Sequence, residues 1–219
     1  MASLDQSLVR MGLDYVDVFY SHRYDPETPL EETMQALVDI VRQGKALYVG
    51  LSKYPAGKAE EAYRYLEARD VHCLLYQGRY NLFDRAPEEE GILGQARAYG
   101  VGFIAFSPLA QGLLTSRYLQ GVPEDSRMAQ GRFLKREVLT EAVLGKIKAL
   151  DRVAADRGQT LAEMSLAWVL KDELVTSVII GASSVAQLED NLKALRKVDF
   201  SREELDRIEA ICHTPDGGQ

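Results

Sequence analysis

The chain has 219 residues, 46% of them hydrophobic and 27% charged, with a formal net charge of −7 at pH 7. That fits one globular domain, residues 1–219, with a substantial core, and the acidic balance argues against a nucleic-acid partner. No apolar run approaches the roughly 20 residues of a membrane span.

The N-terminal stretch MASLDQSLVRMG lacks an apolar h-region, so no signal peptide is expected. Two cysteines, Cys73 and Cys212, make no disulfide framework and predict a reducing, cytoplasmic setting. The three histidines show no metal-ligand spacing with them, so no metal is expected.

In chain order, Tyr15–Tyr20 predicts a buried strand. A helix follows, with Thr28 as N-cap, Pro29 at its first position and Glu31 completing a capping box. Leu30, Met34, Leu37, Val38 and Val41 form its apolar stripe, and Gly44 stops it. The alternation continues with a strand at Ala46–Leu51, a helix at Ala59–Ala68, a strand at His72–Tyr76, a helix at Glu88–Tyr99 and a strand at Val101–Phe106. A longer connection from Gln120 to about Glu137 carries Arg127, Arg132, Lys135 and Arg136. Helices are expected over Thr140–Arg157 and from the capping box Thr160–Glu163, then a strand at Val175–Ile180. Two helices close the chain, the second opened by Ser201–Glu204. Alternating units imply a parallel α/β sheet with helical crossovers. Counting alone favours an open doubly wound sheet, because a (β/α)₈ barrel needs eight strands and roughly 250 residues.

Polar residues gather at the predicted strand ends, where α/β folds place their sites. These ends carry Ser21-His22-Arg23, Ser52-Lys53, Gln77, Phe106-Ser107-Pro108 and Gly181-Ala182-Ser183. An imidazole can polarise a carbonyl, a hydroxyl and an amide can pair with a carboxamide, and an aromatic ring can stack on a heterocycle. Taken singly, each has a structural explanation as a cap, a loop hydrogen bond or a core ring. No Gly-x-Gly-x-x-Gly or Walker-type loop is present, so phosphates would have to sit at helix N-termini such as Ser107–Gly112 and Gly181–Ser184.

Four segments, Asp17–Arg23, Gly44–Ser52, Phe106–Leu114 and Val178–Ser183, resemble the aldo-keto reductases. The branch they are most similar to holds glyceraldehyde-3-phosphate/methylglyoxal reductases and proteins similar to potassium-channel β-subunits. The resemblance implies a (β/α)₈ TIM barrel, here lacking roughly its first three strands, with NADP(H) extended across the C-terminal rim. It implies that His22 orients and polarises a substrate carbonyl, that Ser52 and Gln77 hold the nicotinamide carboxamide, and that Phe106 lies against the nicotinamide ring. Ser107, Leu109 and Gly112 correspond to the pyrophosphate loop, and Arg117 and Arg127 to basic positions near the phosphates. Gly181, Ser183, Gln187, Asp190 and Asn191 correspond to the adenosine 2′-phosphate end. Arg117 stands where relatives often have Lys, and Asp190 where they often have Glu.

The family's proton-donor tyrosine, with its lysine and aspartate, has no counterpart here; Lys53-Tyr54 read as loop residues. An incomplete barrel is expected to leave its first and last strands as edges, and to favour self-association or a complementing N-terminal segment. The implied activity is NADPH-dependent reduction of small carbonyl compounds. The alternatives are a non-catalytic NADP(H)-binding partner subunit or pseudo-enzyme, and a phosphate-binding barrel isomerase.

Overall fold

The structure, a computed structural model, describes residues 2–119 and 138–213. The expected connection over 120–137, with its basic residues, lies outside the described residues. Among those described, five strands form one sheet in the order β1 (Val16–Ser21), β2 (Ala46–Ser52), β3 (Cys73–Arg79), β4 (Gly102–Phe106) and β5 (Ser177–Ile179). β1 pairs with β2, and β2 with β3, in parallel. The helices are α1 (Ala2–Met11), α2 (Leu30–Arg42), α3 (Ala56–Glu67), α4 (Ala86–Glu89), α5 (Ile92–Ala98), α6 (Glu141–Asp156), α7 (Leu161–Val169), α8 (Val185–Leu192) and α9 (Arg202–Cys212).

The residues fall into two compact units. The first comprises 1–78, 86–104 and 174–176, and the second 79–85, 105–173 and 177–219. In the first unit, Leu4 and Leu8 of α1 pack on Ile40 of α2 and Ala46 of β2, with Val16 and Phe19 of β1 against them. α2 turns its apolar stripe, Leu30, Met34, Leu37 and Val38, into the core. It ends where Gly44 takes a φ of 70°, as the sequence predicts.

Two rings set the backbone of the central strands. Tyr20 of β1 lies over Gly50, and a Cβ at Gly50 would sit 2.5 Å from the ring. Phe103 of β4 lies over Gly78, where a Cβ would sit 2.6 Å from the ring, and stacks on Tyr76 at 5.8 Å. Gly78→Ala is therefore expected to force Phe103 out of place and to destabilise the chain by about 1–3 kcal/mol in urea unfolding. Loss under 0.5 kcal/mol would show that the ring yields without cost.

Helix punctuation in the second unit follows the sequence closely. Thr140 caps α6 through Val143 N–H, and both capping boxes, Thr160/Glu163 on α7 and Ser201/Glu204 on α9, are formed. Buried Leu161, Met164, Leu166 and Trp168 make α7 the most enclosed helix face of this unit. α8 is different: Val185, Leu188 and Leu192, with Leu195 beyond it, are 74, 41, 52 and 60% exposed.

Five local expectations are corrected. Thr28 does not cap α2, because its hydroxyl donates to Asp25 Oδ2 at 2.8 Å and the N-cap position falls on Pro29. The helix expected over Glu88–Tyr99 is two helices, parted where Gly91 turns left-handed at φ 75°. The third helix begins at Ala56, because Pro55 fixes the preceding φ at −56°. β5 is limited to three residues, and β1 is half-buried. Both stand at the ends of the strand order, the position in which edges were expected.

Candidate functional site

The first unit brings three of the expected residues to one edge. Ser21 of β1 faces Leu51 of β2, and Ser52 faces Gln77 of β3, so these strands end side by side. His22 follows β1 directly and is exposed, Ser52 is 2% exposed, and Gln77 is half-buried. The imidazole of His22, the hydroxyl of Ser52 and the carboxamide of Gln77 make no hydrogen bond among the described residues. Three adjacent polar groups with unspent donors and acceptors suit a planar, polar ligand.

Their neighbours are spent within the chain. Ser21 Oγ and Tyr54 OH lie 2.7 Å apart, and Tyr76 OH donates to the Tyr54 carbonyl at 2.7 Å. Burial raises the Tyr54 phenol above its ordinary pKa, against the lowering effect of the Ser21 bond. Burial also pushes Tyr76 up to about 12. A general acid works best with a pKa near the working pH, which neither ring has. Lys53 takes a left-handed φ of 56° in the turn after β2, and Tyr54 is 2% exposed. The pair is a structural turn; the bonds of Tyr54 to residues 33 and 22 positions away gave no local sequence signal.

In the second unit, β4 runs out at Phe106 into a strained turn. Ser107, Ala110 and Gln111 have φ of 53, 46 and 60°. Left-handed backbone at a non-glycine residue costs about 1–2 kcal/mol, so three within five residues persist only because surrounding bonds hold them. Ala110 N–H donates to Ser107 O at 3.0 Å, Gly112 N–H to Leu109 O at 2.8 Å, and Thr115 Oγ1 to Gly112 O at 2.7 Å. Asn81, absent from the sequence reading, donates its amide to Ser107 O at 3.0 Å. Its detectable signal was the Asn-Leu-Phe-Asp turn, in which Asn81 Oδ1 accepts from Phe83 N–H. Gln111 Oε1 is buried without a partner among the described residues. The turn thus gathers Phe106, Ser107, Leu109 and Gly112. Arg117 follows on an exposed 3₁₀ turn, its N–H on Thr115 Oγ1 at 3.3 Å. Arg127 lies outside the described residues.

The remaining expected residues surround the start of α8. Gly181 and Ser183 precede it, and Ser184 caps it through Gln187 N–H at 3.2 Å. Gln187 does not close a capping box; its Oε1 accepts from Ser183 N–H at 2.7 Å and Ser183 Oγ at 3.0 Å. Asp190 pairs with Lys193 at 2.6 Å on the exposed face. Asn191 is 6% exposed, and its amide nitrogen has no acceptor among the described residues. Among the described residues no cluster of His, Cys, Asp or Glu is arranged to hold a metal, and no helix is long and apolar enough to cross a membrane.

Residues 1–213 match the Aldo/keto reductase family. The chain is 50% identical over 221 aligned residues to L-glyceraldehyde 3-phosphate reductase of Escherichia coli O157:H7, covering 99% of this chain and 63% of that protein. It is 38% identical over 213 residues to a probable voltage-gated potassium channel subunit beta of Oryza sativa subsp. japonica, covering 95% of this chain and 65% of that one. A crystal structure of a thermostable aldo-keto reductase with the inhibitor epalrestat is similar with a TM-score of 0.72 at 30% identity, over 96% of this chain and 65% of that one. The chain thus spans a little under two thirds of these relatives' lengths. The five strands among the described residues and their helices are an α/β arrangement of partial-barrel type, and the chain belongs to the aldo/keto reductase family.

Proposed function

We propose that the chain is the cofactor-holding part of an NADPH-dependent reductase of small aldehydes or ketones, working in the cytoplasm. The observation that carries this reading is the edge formed by His22, Ser52 and Gln77, whose polar atoms are unspent among the described residues. The 50% identity to a glyceraldehyde 3-phosphate reductase supports the same chemistry.

The residues present fit a dinucleotide phosphate. Ser52 and Gln77 offer a hydroxyl and an amide to a carboxamide, and Phe106 offers a ring face. Ser107, Leu109 and Gly112 present turn backbone toward a pyrophosphate, with Arg117 and Arg127 as cations for it. Ser183 and the buried, unpartnered amide of Asn191 suit the adenosine 2′-phosphate end, with Gly181, Gln187 and Asp190 beside them. NADPH, when bound, supplies the hydride. His22 holds the substrate carbonyl oxygen and polarises it.

No tyrosine of this chain corresponds to the family's proton donor, so turnover by the chain alone is expected to be low. It should rise when a segment supplying an aspartate, a tyrosine and a lysine completes the barrel. A second reading, a subunit that binds NADP(H) without turnover and assembles with itself or another protein, is favoured by the 38% identity to a channel subunit.

Fluorescence titration with NADPH, followed by a methylglyoxal assay with and without that completing segment, separates the two. Binding with turnover above background excludes the subunit reading; no binding excludes both. Ser52→Ala and Gln77→Leu should each weaken NADPH binding by about 3–10-fold, the loss of one hydrogen bond. Unchanged affinity in both variants would remove them from the cofactor site.

A further inference from the structure

We infer that Asn81 is a positioning residue for the cofactor, setting the β4 turn that is proposed to receive the pyrophosphate; the inference rests on the NADPH reading above. Asn81 is fully buried, at 0% exposure, in the connection that follows β3. Its amide orientation is fixed by its partners. Oδ1 accepts from Phe83 N–H at 2.9 Å, so Nδ2 is the atom that faces Ser107 O at 3.0 Å and donates to it. The Asn81 backbone is pinned as well, exchanging two hydrogen bonds of 3.1 Å with Asp84, whose carboxylate meets Arg79 at 3.2 Å. The donor is therefore delivered from a rigid base.

The carbonyl it meets belongs to the first left-handed residue of the turn, at φ 53°. Ser107 O also accepts from Ala110 N–H at 3.0 Å, and Ala110 is the second left-handed residue, at 46°. One acceptor thus joins the buried amide to two of the three strained positions. A strained backbone persists where its surroundings over-determine it. Asn81 supplies such a constraint from outside the turn, from 26 positions earlier in the chain. Loss of its donor leaves Ser107 O one bond short and lets the turn relax away from the shape that presents Ser107, Leu109 and Gly112.

The test uses the full chain with Asn81→Asp and Asn81→Ala. Aspartate keeps the size of the side chain and the acceptor for Phe83 N–H, but sets an oxygen against Ser107 O. Alanine removes both bonds without adding charge, and serves if the aspartate variant fails to fold. Affinities for NADPH and for adenosine 2′,5′-bisphosphate are measured at a temperature where circular dichroism shows each variant folded. The bisphosphate carries the adenosine end without a pyrophosphate. The expected result is that Kd for NADPH rises about tenfold or more, while Kd for the bisphosphate stays within about twofold of the unsubstituted chain. Equal weakening of both ligands, or an unchanged Kd for NADPH with only a lower melting temperature, would overturn the inference and leave Asn81 a packing residue. Failure of the unsubstituted chain to bind NADPH would instead sink the cofactor reading, and this inference with it.

Discussion

Arg157→Ala is expected to lower the stability of the second unit by about 3 kcal/mol, the lower end of what breaking a buried ion pair costs. The Arg157 side chain is 1% exposed, and its guanidinium meets Glu204 Oε2 at 2.5 Å. It also donates to Gln159 Oε1 at 2.9 Å and to Asp199 O at 3.0 Å, and lies 3.6 Å from the centre of the Phe200 ring. One side chain therefore fastens the end of α6 to the segment that leads into α9. The lower end applies because Glu204 keeps 23% of its side chain in water and can be partly rehydrated when its partner is removed.

The same pair gives the effect a pH dependence. Burial alone would raise the pKa of Glu204, but the Ser201 N–H and the charge of Arg157 outweigh it and hold the pKa below its ordinary value. A carboxyl with a lowered folded-state pKa adds stability above its unfolded pKa of about 4.3, and that stability is lost as pH falls through the folded value. Urea unfolding at pH 7 should show the full difference between Arg157→Ala and the unsubstituted chain. The gap should narrow as pH falls below about 4 and through the lowered folded-state value, where Glu204 takes up its proton in the unsubstituted chain as well. A gap that persists unchanged into acid would mean that the stacking on Phe200, and not the ion pair, carries the effect.

Trp168→Ala should cost about 3–5 kcal/mol, as truncation of a large buried aromatic does. The ring is 2% exposed, packs on Tyr80 with centroids 5.3 Å apart, and has Lys171 Nζ 4.0 Å and the Arg85 guanidinium 5.0 Å from its centre. Two cations on one enclosed aromatic add to the loss, each by about 0.5–2 kcal/mol. Phenylalanine at this position should recover more than half of the deficit by refilling the volume. Thermal unfolding followed by circular dichroism is the suitable measurement, because Trp168 is the chain's single tryptophan and its removal abolishes the tryptophan fluorescence signal. A loss below 1 kcal/mol would show that α7 is not anchored through this residue.

The elements most legible in the sequence were those fixed by neighbours within four residues. Thr160 and Ser201 cap their helices as read, because each hydroxyl finds the backbone N–H three residues on. Thr28 misled because Asp25, three residues back, competes for the same hydroxyl. Gly91 divided a helix because the periodicity of its flanks did not register the left-handed turn between them. At the site, strand ends were legible because alternation of strand and helix places them, and Ser52 and Gln77 do fall in register. Asn81 and Tyr54 were not, because their bonds run to residues 26 and 33 positions away, a separation that no local pattern encodes. Strain in the Ser107–Gln111 turn was also invisible, since none of its left-handed residues is a glycine.

The two thiols carry a practical consequence. Cys73 is buried within β3 and its pKa is pushed by that burial up to about 12; Cys212, at the end of α9, is pushed up by burial to about 11. At pH 7 such groups are ionised in only about one molecule in 10⁵ and 10⁴ respectively, and the thiolate is the species that peroxides and alkylating agents attack. The folded chain should therefore ride through an oxidative burst with both sulfurs reduced, and tolerate purification in air without added reductant. Any labelling at Cys73 becomes a clock for unfolding, because only an opened chain offers that sulfur to a reagent.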